Sequence, residues 1–225
     1  MKNFDLKNPY SRFKHTEAIN PTGIGKTDVE GLPEYFKENP VKIRGVVHAG
    51  AHRGEELQWY RDREASKIIW IEPSPDVYKE LQVALELAGA KSSYSFCVAA
   101  SDKDDENVDF HICYGPDARF MEGNKGCSSL LIPKNGTMIG TWYKETIVVK
   151  TIRVDSLLER NGFDYNQFDL LNIDTQGAEM LVLRGCPRLL NEIKYISLEV
   201  TWNNPYYEEN PLFEEIRSFL EKSGF

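Results

Sequence analysis

From Arg44 onward, short apolar runs alternate with stripes of apolar residues at helical spacing. Arg44–Ala49 and Lys67–Glu72 read as buried strands, with a helix over Glu55–Arg63 between them. In Pro75–Ala88 the residues Val77, Leu81, Ala84, Leu85 and Ala88 fall on one helical face, and Pro75 suits a first helical turn. Tyr94–Ala100 reads as a third strand. The regularity then breaks. Val108–Tyr114 alternates like a strand, Gly123–Lys134 is loop-like, and Thr146–Val154 is a long β-type run. Asp155 is expected to cap a short helix over Ser156–Arg160. Phe168–Asp174 is a fourth core strand, followed by a helix through Leu190, a fifth strand over Ile193–Thr201 and a helix over Pro211–Ser223. This alternation predicts an α/β fold with a parallel sheet and helices on both faces. Residues 103–155 are too long for a plain crossover and predict either a lid or an added β patch. Residues 1–40 are polar and rich in Pro, Gly and Asn, an arm with one helix near Leu32–Glu38, which leaves 41–225 as one domain.

Chemistry concentrates where the first two strands end. Val46-Val47-His48-Ala49 runs into Gly50-Ala51-His52-Arg53-Gly54-Glu55, and Ile68-Ile69-Trp70-Ile71 ends in Glu72-Pro73. Glu72 lies about 22 residues beyond Gly50, the length of one strand–helix–strand unit. Glycines let a backbone approach a ligand closely, and an acid at the tip of the next strand can accept from both hydroxyls of a ribose. The pair predicts an adenosine-containing cofactor. A dinucleotide would need Gly-x-Gly-x-x-Gly, so that a pyrophosphate can rest on bare backbone. Here the middle position is His52. The looser turn favours S-adenosyl-L-methionine over NAD, and a nicotinamide oxidoreductase becomes the weaker reading. Gly23-Ile24-Gly25-Lys26-Thr27 resembles the end of a phosphate loop, but Asn20 stands where its first glycine belongs and no strand precedes it.

The 225 residues carry a net charge of −8, which argues against a general nucleic-acid grip. With 41% hydrophobic and 28% charged residues, a packed core is expected. Cys97, Cys113, Cys127 and Cys186 show no paired spacing and read as reduced, packed thiols, so a cytoplasmic setting is expected. No apolar run reaches membrane-spanning length and no signal-peptide core is present. The Asn135-Gly136-Thr137 sequon is then a chance match.

An ordered series of motifs resembles the FkbM family of S-adenosylmethionine-dependent methyltransferases. It runs from about Gly45 to Phe225: His48-x-Gly50-Ala51-His52-x-Gly54-Glu55, Trp70-Ile71-Glu72-Pro73-x-Pro75, Ala100-Ser101-Asp102, Ser128-Ser129-Leu130 and Thr151-Ile152-Arg153-Val154-Asp155-Ser156-Leu157. Its most specific piece is Asp169-Leu170-Leu171-Asn172-Ile173-Asp174-Thr175-Gln176-Gly177-Ala178-Glu179, with Leu183-x-Gly185 and Glu199-Val200 behind it. The resemblance implies a Rossmann-like class I methyltransferase sheet and O-methylation of a sugar, glycan or small natural product. Two departures stand out. His48 occupies a position where many such enzymes carry an acid, and the chain stops at Gly224-Phe225, where a closing antiparallel hairpin is expected. The alternative is a catalytically idle module that keeps the fold or its cofactor pocket.

On this reading His48, Gly50, Ala51, Gly54, Glu55, Glu72 and Pro73 line the cofactor. Ser101 and Asp102 are further candidates, Asp102 either reaching the adenine amino group or starting a turn. Asp174 and Gln176 follow the fourth core strand, where the methyl group and acceptor would meet; Asp174 is a candidate for chemistry, for the methionine ammonium or for a helix cap. Glu179 in the first turn of the next helix also suits the helix dipole. A hydroxyl acceptor loses a proton, and His52 is the candidate base. Ser128, Ser129, Glu199 and Trp202 are candidates for the acceptor side. Two carboxylates, Asp174 and Glu199, are too few to claim a metal.

Overall fold

A computed structural model describes residues 41–114, 126–134, 142–200 and 207–225. The arm with its helix near Leu32–Glu38, the phosphate-loop-like segment, the sequon and Trp202 lie outside the described residues. Five strands form the central sheet: β1 (Gly45–Ala49), β2 (Lys67–Ile71), β3 (Ser93–Phe96), β7 (Leu170–Ile173) and β8 (Tyr195–Leu198). Their order is β3-β2-β1-β7-β8 and every pairing is parallel. The chain moves outward from β1 to β3 and then returns to the other side of β1. The switch between β1 and β7 therefore opens a crevice at their carboxyl ends, where open α/β sheets bind ligands.

The inner strands β1, β2 and β7 have both faces covered and are almost wholly apolar, whereas the edge strand β3 (Ser-Tyr-Ser-Phe) alternates and is partly exposed. Neighbouring residues divide between two cores. Val46, Ile68, Trp70 and Leu170 face α1 (Leu57–Arg61) and α2 (Pro75–Leu87), meeting Trp59, Tyr60, Leu81 and Leu85. Val47, Ile69, Ile71, Leu171 and Ile173 face the opposite layer. That layer holds α3 (Val154–Arg160), α4 (Glu179–Arg184), α5 (Pro187–Glu192) and α6 (Phe213–Lys222).

The expected third strand divides. Ser93–Phe96 stays in the central sheet, whereas Ala99–Ala100 forms β4 and pairs in parallel with Thr151–Ile152 of β6 (Trp142–Ile152). Strand β6 also pairs antiparallel with β5 (Asn107–Tyr114), giving a second sheet in the order β4-β6-β5. The inserted segment is thus an added β patch with its own small core of Ala99, Phe110, Ile112 and Val149. The helix expected through Leu190 is likewise two helices. Pro187 has no N–H to continue the first, and a side chain at Gly185 would come within 2.0 Å of the Ser101 carbonyl.

Asp155 does not cap its own helix, which begins at Val154. Asp104 does that work, accepting from the Arg153 N–H at 2.9 Å and the Ser156 hydroxyl at 2.7 Å. Asp155 instead accepts from the Arg188 and Leu189 N–H groups at 2.9 and 3.1 Å and so caps α5. Burial raises its pKa. Asp155→Ala is expected to cost about 1–2 kcal/mol in urea unfolding, with Asp155→Asn retaining most of the stability. An alanine variant as stable as the parent would remove this tie between α3 and α5. Among the described residues, no helix is long and apolar enough to cross a membrane.

Candidate active site at the strand ends

Gly50 leaves β1 at φ +82°, and a Cβ there would lie 1.7 Å from the Asp174 carbonyl. The ends of β1 and β7 therefore touch, and only glycine fits between them. Gly54, at φ +75°, has a different neighbour: its Cβ would meet Leu81 Cδ1 at 2.8 Å. The close approaches that require these two glycines are to protein atoms, a strand end in one case and the α2 helix in the other.

The N–H groups of this turn are all engaged. Those of Gly50 and the buried Ala51 donate to the Ile71 carbonyl at 2.9 and 3.0 Å, and that of Gly54 donates to the Ala51 carbonyl at 2.9 Å. The His52 N–H donates to Glu72 Oε2 at 2.9 Å and the Arg53 N–H to Glu55 Oε2 at 3.1 Å. No run of bare donors remains to cradle a pyrophosphate. The His52 ring is held on both sides, with Nδ1 2.8 Å from Glu55 Oε1 and Nε2 3.3 Å from the Arg53 guanidinium. If Nδ1 donates to Glu55, Nε2 accepts from Arg53, and the lone pair a base would use is occupied. Arg53 also pairs with Glu80 of α2.

Glu72 stands at the end of β2 and is 6% exposed. Its Oε1 accepts from the Ser74 N–H at 2.8 Å, across the half-buried Pro73. Burial pushes its carboxyl up to about 7, against the Ser74 and His52 donors. Cys97 is exposed, contrary to the packed thiol expected, and its sulfur lies 3.9 Å from the Pro73 carbonyl.

At the ends of β7 and β8 the structure joins three of the expected residues. The Gln176 amide donates to Asp174 Oδ1 at 2.6 Å and to Glu199 Oε2 at 3.0 Å. One neutral side chain thereby spans two carboxylates. Gln176 adopts φ +54°, a left-handed conformation that costs a non-glycine residue about 1–2 kcal/mol. Two buried groups hold it there. Ser129, 0% exposed, donates its hydroxyl to the Gln176 carbonyl at 2.8 Å. Glu179 reaches back to accept from the Thr175 and Gly177 N–H groups at 3.2 and 3.0 Å. Its burial raises its pKa. Ser128 accepts from the Cys113 N–H at 3.1 Å.

His48 faces α1. Its Nε2 is 3.1 Å from Asn172 Nδ2 and its Nδ1 is 3.2 Å from the Tyr60 hydroxyl, with the Trp70 ring 5.3 Å away. Burial lowers its pKa to about 3, so the ring is neutral. Ser101 and Asp102 follow β4 in the second sheet, where the Ser101 hydroxyl lies 3.3 Å from Asp102 Oδ1. Asn172 and Tyr60, the partners of His48, were not among the expected site residues. An asparagine inside the apolar run Leu170–Ile173 was the available signal. Among the described residues, no group of three or more His, Cys, Asp or Glu is placed to hold a metal.

A family model described as a methyltransferase FkbM domain matches residues 48–225. The fold is similar to the crystal structure of methyltransferase FkbM from Methylobacillus flagellatus KT, with a TM-score of 0.50 and 13% sequence identity over 79% of this chain. The chain spans 36% of the length of that protein, and at such identity the likeness concerns the fold. No curated protein matches the chain.

Proposed function

The chain belongs to the FkbM methyltransferase family, and from that premise we propose that it is an S-adenosyl-L-methionine-dependent O-methyltransferase acting on a hydroxyl of a sugar, glycan or small natural product. The observation that carries the cofactor is the turn at 50–54 beside the buried Glu72. Its five N–H groups already have protein acceptors, which disfavours a pyrophosphate-bearing dinucleotide. An ionised carboxylate offers about four lone-pair sites, and backbone donors occupy two at Glu72. Two remain for the paired hydroxyls of a ribose.

When bound, the cofactor supplies an electrophilic methyl group on a sulfonium. The protein's part is to align an acceptor oxygen with that carbon and to exclude water. Asp174, fixed by Gln176 at the switch point, is the group we assign to orienting the acceptor hydroxyl, with Glu199 beside it. His52 serves in holding the turn to Glu55 and Arg53.

Calorimetric titration with S-adenosylhomocysteine and with NAD tests the cofactor. Binding of the first and not of the second is expected, and the reverse would sink the reading. Labelled methyl transfer to a panel of hydroxyl acceptors tests the chemistry. Asp174→Asn is expected to lower turnover at least about tenfold while changing stability by less than about 1 kcal/mol. EDTA is expected to leave activity intact. Undiminished turnover in Asp174→Asn would remove its assignment, and cofactor binding without transfer to any acceptor would favour an idle module.

A further inference from the structure

Strand β5 has a second antiparallel neighbour. His111 and Ser129 exchange backbone hydrogen bonds, N–H to carbonyl, at 2.8 and 3.1 Å. The pairing stops at that bridge, but the Cys113 N–H donates to Ser128 Oγ, so Cys113 lies alongside the Cys127–Ser128 step. Hydrogen bonding from Cys127 lowers the Cys113 thiol's pKa against its burial. The surroundings hold both residues in place. Ser128 takes the Cys113 N–H at 3.1 Å, and the Tyr207 hydroxyl donates to the Cys127 carbonyl at 2.8 Å.

We propose that Cys113 and Cys127 are a reversible thiol-oxidation site, closing to a disulfide that fastens the Cys127–Ser129 segment to β5. The oxidant is a low-molecular-weight disulfide of the glutathione class. Cys127 is partly exposed and Cys113 is 0% exposed, so Cys127 is the entry point. Its thiolate attacks one sulfur of the oxidant, breaking that S–S bond and releasing one thiolate. The Cys113 thiolate then attacks Cys127 Sγ in the mixed disulfide and releases the second. Two protein thiols and one small disulfide become one protein disulfide and two small thiols, which take up the two protons. The consequence reaches the strand ends, because the same segment carries Ser129, whose hydroxyl grips the Gln176 carbonyl.

The exposed Cys97 would form its own adducts, so the test uses Cys97→Ser. Of the four cysteines this protein keeps three. After incubation with glutathione disulfide and removal of excess reagent, titration of the unfolded protein with a thiol reagent is expected to fall from three thiols to one. Dithiothreitol is expected to restore three. Peptide mapping of the unsubstituted protein is expected to find Cys113 linked to Cys127, lighter by two hydrogens than the separate peptides. In Cys113→Ser the reaction stops at a glutathione adduct on Cys127. An unchanged thiol count, or a persistent adduct on Cys127 while Cys113 remains titratable, would overturn the proposal.

Discussion

Gly50→Ala is expected to destabilise the protein by about 3–5 kcal/mol, read as a lower urea midpoint. Two causes add. A side chain at φ +82° carries left-handed strain of about 1–2 kcal/mol, and its Cβ would lie 1.7 Å from the Asp174 carbonyl. Neither neighbour can yield alone, because the Asp174 N–H is bonded to the Ala49 carbonyl at 2.9 Å and the Gly50 N–H to Ile71. Gly162→Ala separates the two causes. Gly162 sits at φ +70°, and a Cβ there would have nothing within 4 Å, so only strain applies, about 1–2 kcal/mol. Equal losses in the two variants would mean that the ends of β1 and β7 do not touch as described.

That contact shows how much of the architecture the residues carried. Apolar runs such as Val46–Ala49, interrupted only by the buried His48, and Ile68–Ile71 mark strands covered on both faces, and the alternation with helical stripes yields the parallel sheet. Where the reading failed, the deciding partner lay far along the chain. Nothing within Tyr94–Ala100 distinguishes one strand from two; pairing of Ala99–Ala100 with β6 divides it. Asp155 stands where a local cap would, yet Asp104 caps α3 and frees Asp155 for α5.

The site divides along the same line. The position of Glu72, Asp174 and Glu199 at the sheet's carboxyl edge was legible because each follows directly on an apolar strand. Gly50 was legible as a tight turn, although its close neighbour is the Asp174 carbonyl. The supporting shell was not legible. Ser129 reaches Gln176 from the inserted patch, and Asn172 meets His48 only because β1 and β7 are adjacent in that register. Such contacts depend on topology, which no local pattern encodes.

Glu72 carries the largest expected effect on ligand binding. Burial raises its carboxyl from 4.5 to about 7 in the ligand-free protein. The folded pKa lies above the unfolded one, so the folded state holds the extra proton across that interval. Stability from Glu72 is therefore fully present below about pH 4.5 and is lost as pH rises through about 7. Ribose hydroxyls donate more strongly to a carboxylate than to a carboxylic acid, so ligand binding favours the ionised form. S-adenosylhomocysteine is then expected to bind about tenfold more weakly at pH 6 than on a plateau above about pH 8. Calorimetry near pH 6.5, repeated in buffers of different ionisation enthalpy, is expected to detect proton release on binding. Glu72→Gln cannot ionise and is expected to abolish that release. Glu72→Ala is expected to lose about 1.5–3 kcal/mol for each of two charge-assisted hydrogen bonds. At pH 8 the alanine variant still folds, because removal of a carboxylate disfavoured by burial offsets the loss of an acceptor for the His52 and Ser74 N–H groups. A folded Glu72→Ala protein with parental affinity, or parental binding that does not change between pH 6 and 8, would take Glu72 out of the site.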